Sequence, residues 1–199
     1  ENRPLGIGVQ GLADVYFKMK IPYESVDAEK LNIEIFETIY YGTLRGSVEL
    51  SKKYGPYKTF AGSPYSFGKL QFDLAKEFDG INLDKYLSGR WDWDTLKKDI
   101  KNYGTRNSMM TALMPTASTA QIMGNTESFE FDSNIYKRRV LSGEFIVMNK
   151  YLISDLKNIG IWNSDIKNEI ILNNGSIQNI KIIPENIKKI YKTIWEIKM

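Results

Sequence analysis

The chain has 199 residues, 42% of them hydrophobic, with 27 basic and 24 acidic side chains for a net charge of +3. That is enough apolar material for one sizeable core, and too little net charge to argue for nucleic acid or an anionic membrane as a partner. Cysteine and histidine are both absent, which excludes disulfides, thiolate catalysis, zinc sites built on either residue and Ser-His triads within this chain.

The N-terminal stretch Arg3 to Asp14 reads R-P-L-G-I-G-V-Q-G-L-A-D, and Gly6, Gly8 and Gly11 spell the dinucleotide fingerprint G-x-G-x-x-G. That fingerprint should follow a hydrophobic strand, and only five residues precede Gly6. Close packing of a short turn or strand against the next helix explains the glycines without a cofactor. A helix is expected from about Gln10 to Lys20, ending before Pro22. Ser25 or Asp27 can cap a second helix, along which Leu31, Ile35 and Ile39 recur at helical spacing up to Tyr54, with Gly55-Pro56 as its stop. Tyr40 and Tyr41 read as packing residues on that helix.

Thr59 to Gly68 is a loop rich in Gly, Ser and Pro; Leu70 to Phe78 is helical; Gly80 to Gly89 is an irregular surface segment. Asp92 or Asp94 starts a helix that runs to Tyr103 and closes at Gly104, with Trp91 and Trp93 as aromatic anchors. Lys97-Lys98-Asp99 reads as a solvated face of it.

Asn107 to Gly124 reads N-S-M-M-T-A-L-M-P-T-A-S-T-A-Q-I-M-G. The apolar run Met109 to Met114 has the length of a strand buried on both faces. Pro115 stops it. Thr116, Ala117, Ser118 and Thr119 follow, small residues that carry three hydroxyls, and a helical pattern begins at Ala120 and ends at Gly124. Two readings are open. Ser118 with Gln121 fits a capping box. Equally, free amides at a helix start, with added hydroxyls and no bulky side chain, suit a phosphate group.

Arg138 and Arg139 read as surface ion-pair residues, with an approach to phosphate or carboxylate as the alternative. Asn149 to Ile159 is a helix ended by Gly160. Ser164 caps another to about Asn173, stopped by Asn174-Gly175. Pro184 opens the last, Glu185 to Ile197, with Ile187, Ile190, Ile194 and Ile197 on one face. By pattern the fold is α/β, mostly helical with few buried strands, and 1–199 reads as a single piece.

M-P-T-A-S-T-A-Q-I-M-G-N-T-E-S-F-E resembles the substrate-phosphate loop of the large, catalytic chain of class I ribonucleotide reductases, which typically reads M-P-T-A-S-T-A-Q-I-L-G-N-N-E. The likeness extends to G-I-G-V-Q-G-L-A-D, I-F-E-T-I-Y-Y-G-T-L, K-Y-G-P-Y-K-T-F, W-D-W-D, I-Y-K-R-R-V-L-S-G-E-F, N-G-S-I-Q-N-I and I-Y-K-T-I-W-E-I. It is weakest at Gly80 to Gly89. Where the family has E-P-Y-T-S-N, this chain has Glu130-Phe131-Asp132-Ser133-Asn134, one residue shorter and without the proline.

The resemblance implies that Pro115, Thr116, Ala117, Ser118 and Thr119 hold the diphosphate of a ribonucleoside diphosphate. It implies a partial ten-stranded α/β barrel, part of the barrel's second half. The parent would reduce the substrate at the 2′ carbon, with a radical from a separate metal-containing small subunit. Its ATP and dNTP effector sites would lie elsewhere, and the large chain would be a homodimer. Family chemistry uses a cysteine thiyl radical and a reducing cysteine pair, so this chain is expected to be an inactive piece of a longer protein. Glu1 and the abrupt Pro4 to Gly8 start agree. The family's relay tyrosine pair would lie beyond Met199, so Tyr40 and Tyr41 are not assigned to it. With no signal peptide and no long apolar run, a cytoplasmic location is expected. The competing readings are a non-catalytic assembly module and an unrelated phosphate-binding α/β enzyme.

Overall fold

The computed structural model describes residues 1–131, 134–141 and 143–197, and for 136–140 and 144 the backbone alone. Asp132 and Ser133 of the shortened loop, and the side chains of Arg138 and Arg139, lie outside the described residues. The chain divides into two compact units: Glu1–Gly8 with Glu29–Met114, and Val9–Ala28 with Pro115–Met199.

The first unit is built on α2, Val26–Tyr54. Ser25 Oγ accepts from the Ala28 amide at 3.1 Å and so caps its start, as the sequence predicts. Leu44 and Val48, one turn apart on this helix, are buried against Leu70, Phe72, Trp93, Leu96, Ile100 and Met110. The partners come from α3, Gln71–Asp79, and its N-cap Leu70, from α4, Trp93–Tyr103, and from Met110 beyond it. Asp92 caps α4 by accepting from the Thr95 amide, and Gly104 closes it at φ 70°. Tyr41 stacks on Trp91 at 4.9 Å and meets Trp93 edge-on at 5.2 Å, while the Tyr40 hydroxyl accepts from the Gln71 amide. Both tyrosines therefore pack, as expected. The Lys97–Asp99 face is less solvated than its composition suggests: Lys97 pairs with Asp73 and Asp99 with Arg45, each at 2.7 Å.

Met109–Met114 is not a strand buried on both faces. Met110 is 2% exposed, but Met109 is 66% exposed and Leu113 and Met114 are also open. The segment pairs in parallel with the chain start: Leu5 N donates to Met109 O at 2.9 Å, Ile7 N to Met110 O at 2.8 Å and Ala112 N to Ile7 O at 3.1 Å. Burial of both faces needs covering layers, and one paired segment beside it supplies none. The same pairing accounts for the glycines. A Cβ on Gly8 would lie 2.6 Å from Ala112 O, and one on Gly6 2.8 Å from the Met114 methyl. The close packing is against this extended segment, not against the following helix.

The second unit starts with α1, Leu12–Met19, which buries Leu12, Ala13, Tyr16 and Phe17. The Phe17 ring stacks on Tyr191 at 5.2 Å and meets Phe131 edge-on at 5.1 Å. Next come α5, Ala117–Met123, and an antiparallel hairpin of β1, Ile135–Val140, and β2, Gly143–Met148, in register Ile135↔Met148 to Val140↔Gly143. Two helices follow, α6 at Lys150–Asn158 and α7 at Ser164–Leu172. The α7 cap is Asn163, whose side chain accepts from the Ile166 amide, and not Ser164. The last helix is shorter than expected. α8 spans Glu185–Ile190, and a separate 3-10 turn covers Ile194–Glu196. Thr193 is extended between them, with its amide donating to Glu196 Oε2 at 2.7 Å. Ile187 and Ile190 are buried, whereas Ile194 is open, so the predicted apolar face ends with α8.

Candidate functional site

Thr116 is the N-cap residue of α5, and Ala117, Ser118 and Thr119 form its first turn. All three of the latter are exposed, as is Pro115; Thr116 is partly buried. Their amides lack intrahelical acceptors by position, and no side chain caps them. The capping box expected from Ser118 and Gln121 does not form. Ser118 sits inside the first turn, two residues past the cap position held by Thr116.

The amide of Ala120 is not available to a ligand, because it donates to Thr116 O at 3.0 Å and Ala120 is fully buried. The open donors are thus the amides of Ala117 to Thr119 and the hydroxyls of Ser118 and Thr119. Thr116 is held differently. Its Oγ1 accepts from the Ser128 amide at 3.0 Å, which leaves the hydroxyl proton as its remaining donor.

The far end of α5 is braced on α1. Gly11 N donates to Thr126 O at 2.9 Å, and Thr126 N donates to Asp14 Oδ2 at 2.7 Å. Gly11 adopts φ 77°, and a Cβ there would approach Asn125 to 3.3 Å. Lys150 Nζ donates to Gly124 O, the C-cap carbonyl. Burial and the adjacent Asp14 carboxylate push the Tyr151 phenol up to about 12. Asp14 and Ser128 are supports that sequence reasoning missed. Asp14 lay within a quoted motif without a role, and no local pattern points to Ser128.

Among the described residues, no three His, Cys, Asp or Glu side chains gather where they could hold a metal ion. No helix among them is long and apolar enough to cross a membrane.

Residues 1–199 match the ribonucleotide reductase barrel-domain family. The chain is 58% identical over 198 residues to the ribonucleoside-diphosphate reductase large chain of Cryptosporidium parvum, covering 99% of this chain and 24% of that protein. It is 54% identical over 197 residues to the ribonucleoside-diphosphate reductase large subunit of Danio rerio, again covering 24% of the relative. Among solved structures, the class Id ribonucleotide reductase alpha subunit of Actinobacillus ureae aligns at TM-score 0.66 and 25% identity, over 96% of this chain and 28% of that one. The chain thus spans about a quarter of the length of the curated relatives it matches, and it belongs to the ribonucleotide reductase barrel-domain family.

Proposed function

We propose that this chain is a segment of the large, catalytic chain of a ribonucleoside-diphosphate reductase, an oxidoreductase that makes deoxyribonucleotides. In this reading 1–199 works as one piece of the barrel domain, from the second half of a ten-stranded α/β barrel. Pro115, Thr116, Ala117, Ser118 and Thr119 hold the substrate diphosphate. The observation that carries the assignment of the loop is the exposed, uncapped first turn of α5. Three amides at the positive end of the helix, with the Ser118 and Thr119 hydroxyls beside them, suit an anion without any basic residue in the loop.

This piece binds and orients; the reducing cysteines lie on other parts of the parent. When present, the metal-containing small subunit supplies the radical that starts the reaction. ATP and dNTP effectors bind elsewhere on a homodimeric large chain, and the location is cytoplasmic. The open apolar side chains of Met109, Leu113 and Met114 support completion of the barrel by further chain. An unrelated phosphate-binding enzyme is disfavoured by a family match over the whole chain.

The deciding experiment is to read the open reading frame on both sides of this segment. The expected result is an upstream cysteine and a downstream Tyr-Tyr pair. A frame that lacks both would leave a non-catalytic assembly module as the better reading.

A further inference from the structure

α7 is closed by the pair Asn174-Gly175, and Asn-Gly occurs nowhere else in the sequence. The Asn174 amide donates to Ile171 O at 3.1 Å and the Gly175 amide to Ile170 O at 2.9 Å, the two bonds of a Schellman close. Asn174 takes φ 51° and Gly175 φ 89°. Asn174 is exposed, whereas Gly175 is buried. The Gly175 carbonyl is held as well. Asn134 Nδ2 donates to Gly175 O at 2.9 Å and to Tyr191 O at 2.7 Å. Asn134 is 1% exposed, so one buried side-chain amide joins the end of α7 to the end of α8 at the foot of the hairpin.

An asparagine followed by glycine has the least hindered route to a succinimide, because the attacking nitrogen carries no bulky neighbour. The Gly175 nitrogen bonds to Asn174 Cγ, and the bond from Cγ to the side-chain nitrogen breaks. That nitrogen leaves as ammonia and takes the proton lost from the Gly175 amide. Water then opens the imide at either carbonyl, which leaves aspartate or isoaspartate at position 174. One water is consumed, one ammonia is released, and nothing is oxidised or reduced. In the folded chain the attacking nitrogen is held back. Its proton is engaged by Ile170 O, and Asn134 fixes the carbonyl of the same residue.

We propose that Asn174 is a deamidation site gated by the fold. It is protected while Gly175 is clamped and is converted once the end of α7 opens. Isoaspartate routes the main chain through the former side chain, which inserts an extra carbon before the Gly175 nitrogen. That carbon displaces Gly175 from Ile170 O and from Asn134 together, so the close cannot re-form. Aspartate at the same place sets a negative charge at a helix C-terminus, where the dipole opposes it. The modification thus marks, irreversibly, molecules that have opened at this point.

The test uses the complete large-chain polypeptide, aged at one mildly alkaline pH either native or in urea. Peptide mass mapping reads residue 174, and enzymatic methylation of isoaspartate counts that product. Conversion should proceed in urea and be slower by at least roughly tenfold in the native chain, since only the locally opened fraction reacts. Chains aged in urea should lose refolding yield in step with their isoaspartate content. Asn174→Gly keeps the positive-φ close but has no amide to lose, so its yield should survive the same ageing. Asn134→Ser should hasten conversion in the native state and leave the rate in urea unchanged. No conversion in urea, equal rates native and unfolded, or Asn174→Gly losing yield as wild type does would each overturn the proposal.

Discussion

The backbone N–H of Ser128 donates to Thr116 Oγ1 at 3.0 Å across a separation of twelve residues. Ser128 is 3% exposed and adopts φ 45°, a conformation that L residues rarely take. The contact ties the end of the turn after α5 back to the residue that starts the helix. It occupies an acceptor site of Thr116 and leaves a proton to donate, whereas Ser118 and Thr119 face solvent with their hydroxyls uncommitted to a cap.

Ser118→Ala in the complete enzyme should therefore weaken ribonucleoside diphosphate binding more than binding of the bare nucleoside. One hydrogen bond to a charged group contributes about 1.5–3 kcal/mol, or roughly 10- to 100-fold in Kd. Equilibrium titration of both ligands against wild type and variant checks this. Equal weakening of the two would mean that Ser118 only supports its helix.

This chain by itself should not turn over a ribonucleotide, even with a small subunit and reductant supplied, because it has no cysteine to carry a thiyl radical. It should also self-associate. Leu5, Ile7, Met109, Leu113 and Met114 are all exposed along one short parallel pairing, and open edges with apolar faces invite association. Sedimentation velocity over a concentration series should show growing species; a monomer with a sharp, high melting transition would contradict the expectation.

Two glycine substitutions should act in opposite directions. Gly8→Ala places a Cβ 2.6 Å from the Ala112 carbonyl oxygen, and such overpacking costs about 1–3 kcal/mol. Gly42 lies on the exposed face of α2 with nothing within 4 Å of a new Cβ. Gly42→Ala should stabilise by about 0.5–1 kcal/mol through helix propensity. Urea midpoints at a fixed protein concentration would separate the two.

Glu37 gives the first unit an acid-sensitive contact. Its carboxylate accepts from Trp93 Nε1 and from the Ser88 amide, each at 3.0 Å. Burial alone would raise the carboxyl; the hydrogen bonds from Ser88 and Trp93, with Arg90 nearby, outweigh it and hold Glu37 below the usual carboxylate range. A carboxyl lowered on folding stabilises above its unfolded pKa, and that contribution disappears as pH falls through the folded value. The stability gap between wild type and Glu37→Gln should thus be widest near neutrality and close in acid. Chemical denaturation at a series of pH values would detect it; a gap that widens in acid would show that the charge is not what matters.

Most helices were legible because their signals are local. Ser25 and Asp92 cap where caps are expected and Asn163 caps one residue before the expected Ser164, and Gly55, Gly104, Gly124 and Gly160 close turns by taking positive φ. The hairpin of β1 and β2 was missed. Lys137, Arg138 and Arg139 interrupt its apolar alternation, although Ser142-Gly143 is a turn signal. Isoleucine spacing continues past Tyr191 and so overstates the last helix, whereas α8 ends at Ile190 and the Thr193–Glu196 contact starts a separate turn, a choice of side-chain geometry.

At the candidate site, sequence alone determined the chemistry on offer: small hydroxyl residues after a proline, at the start of a helix closed by Gly124. Periodicity and turn residues carry that much, since each acts within a few positions of itself. Which atoms stay free was decided only in three dimensions. Ala120 N is spent inside the helix, Thr116 Oγ1 is taken by Ser128, and Met109 to Met114 is left half open. Hydrogen-bond partners and burial depend on what distant segments bring alongside, and no local pattern encodes that.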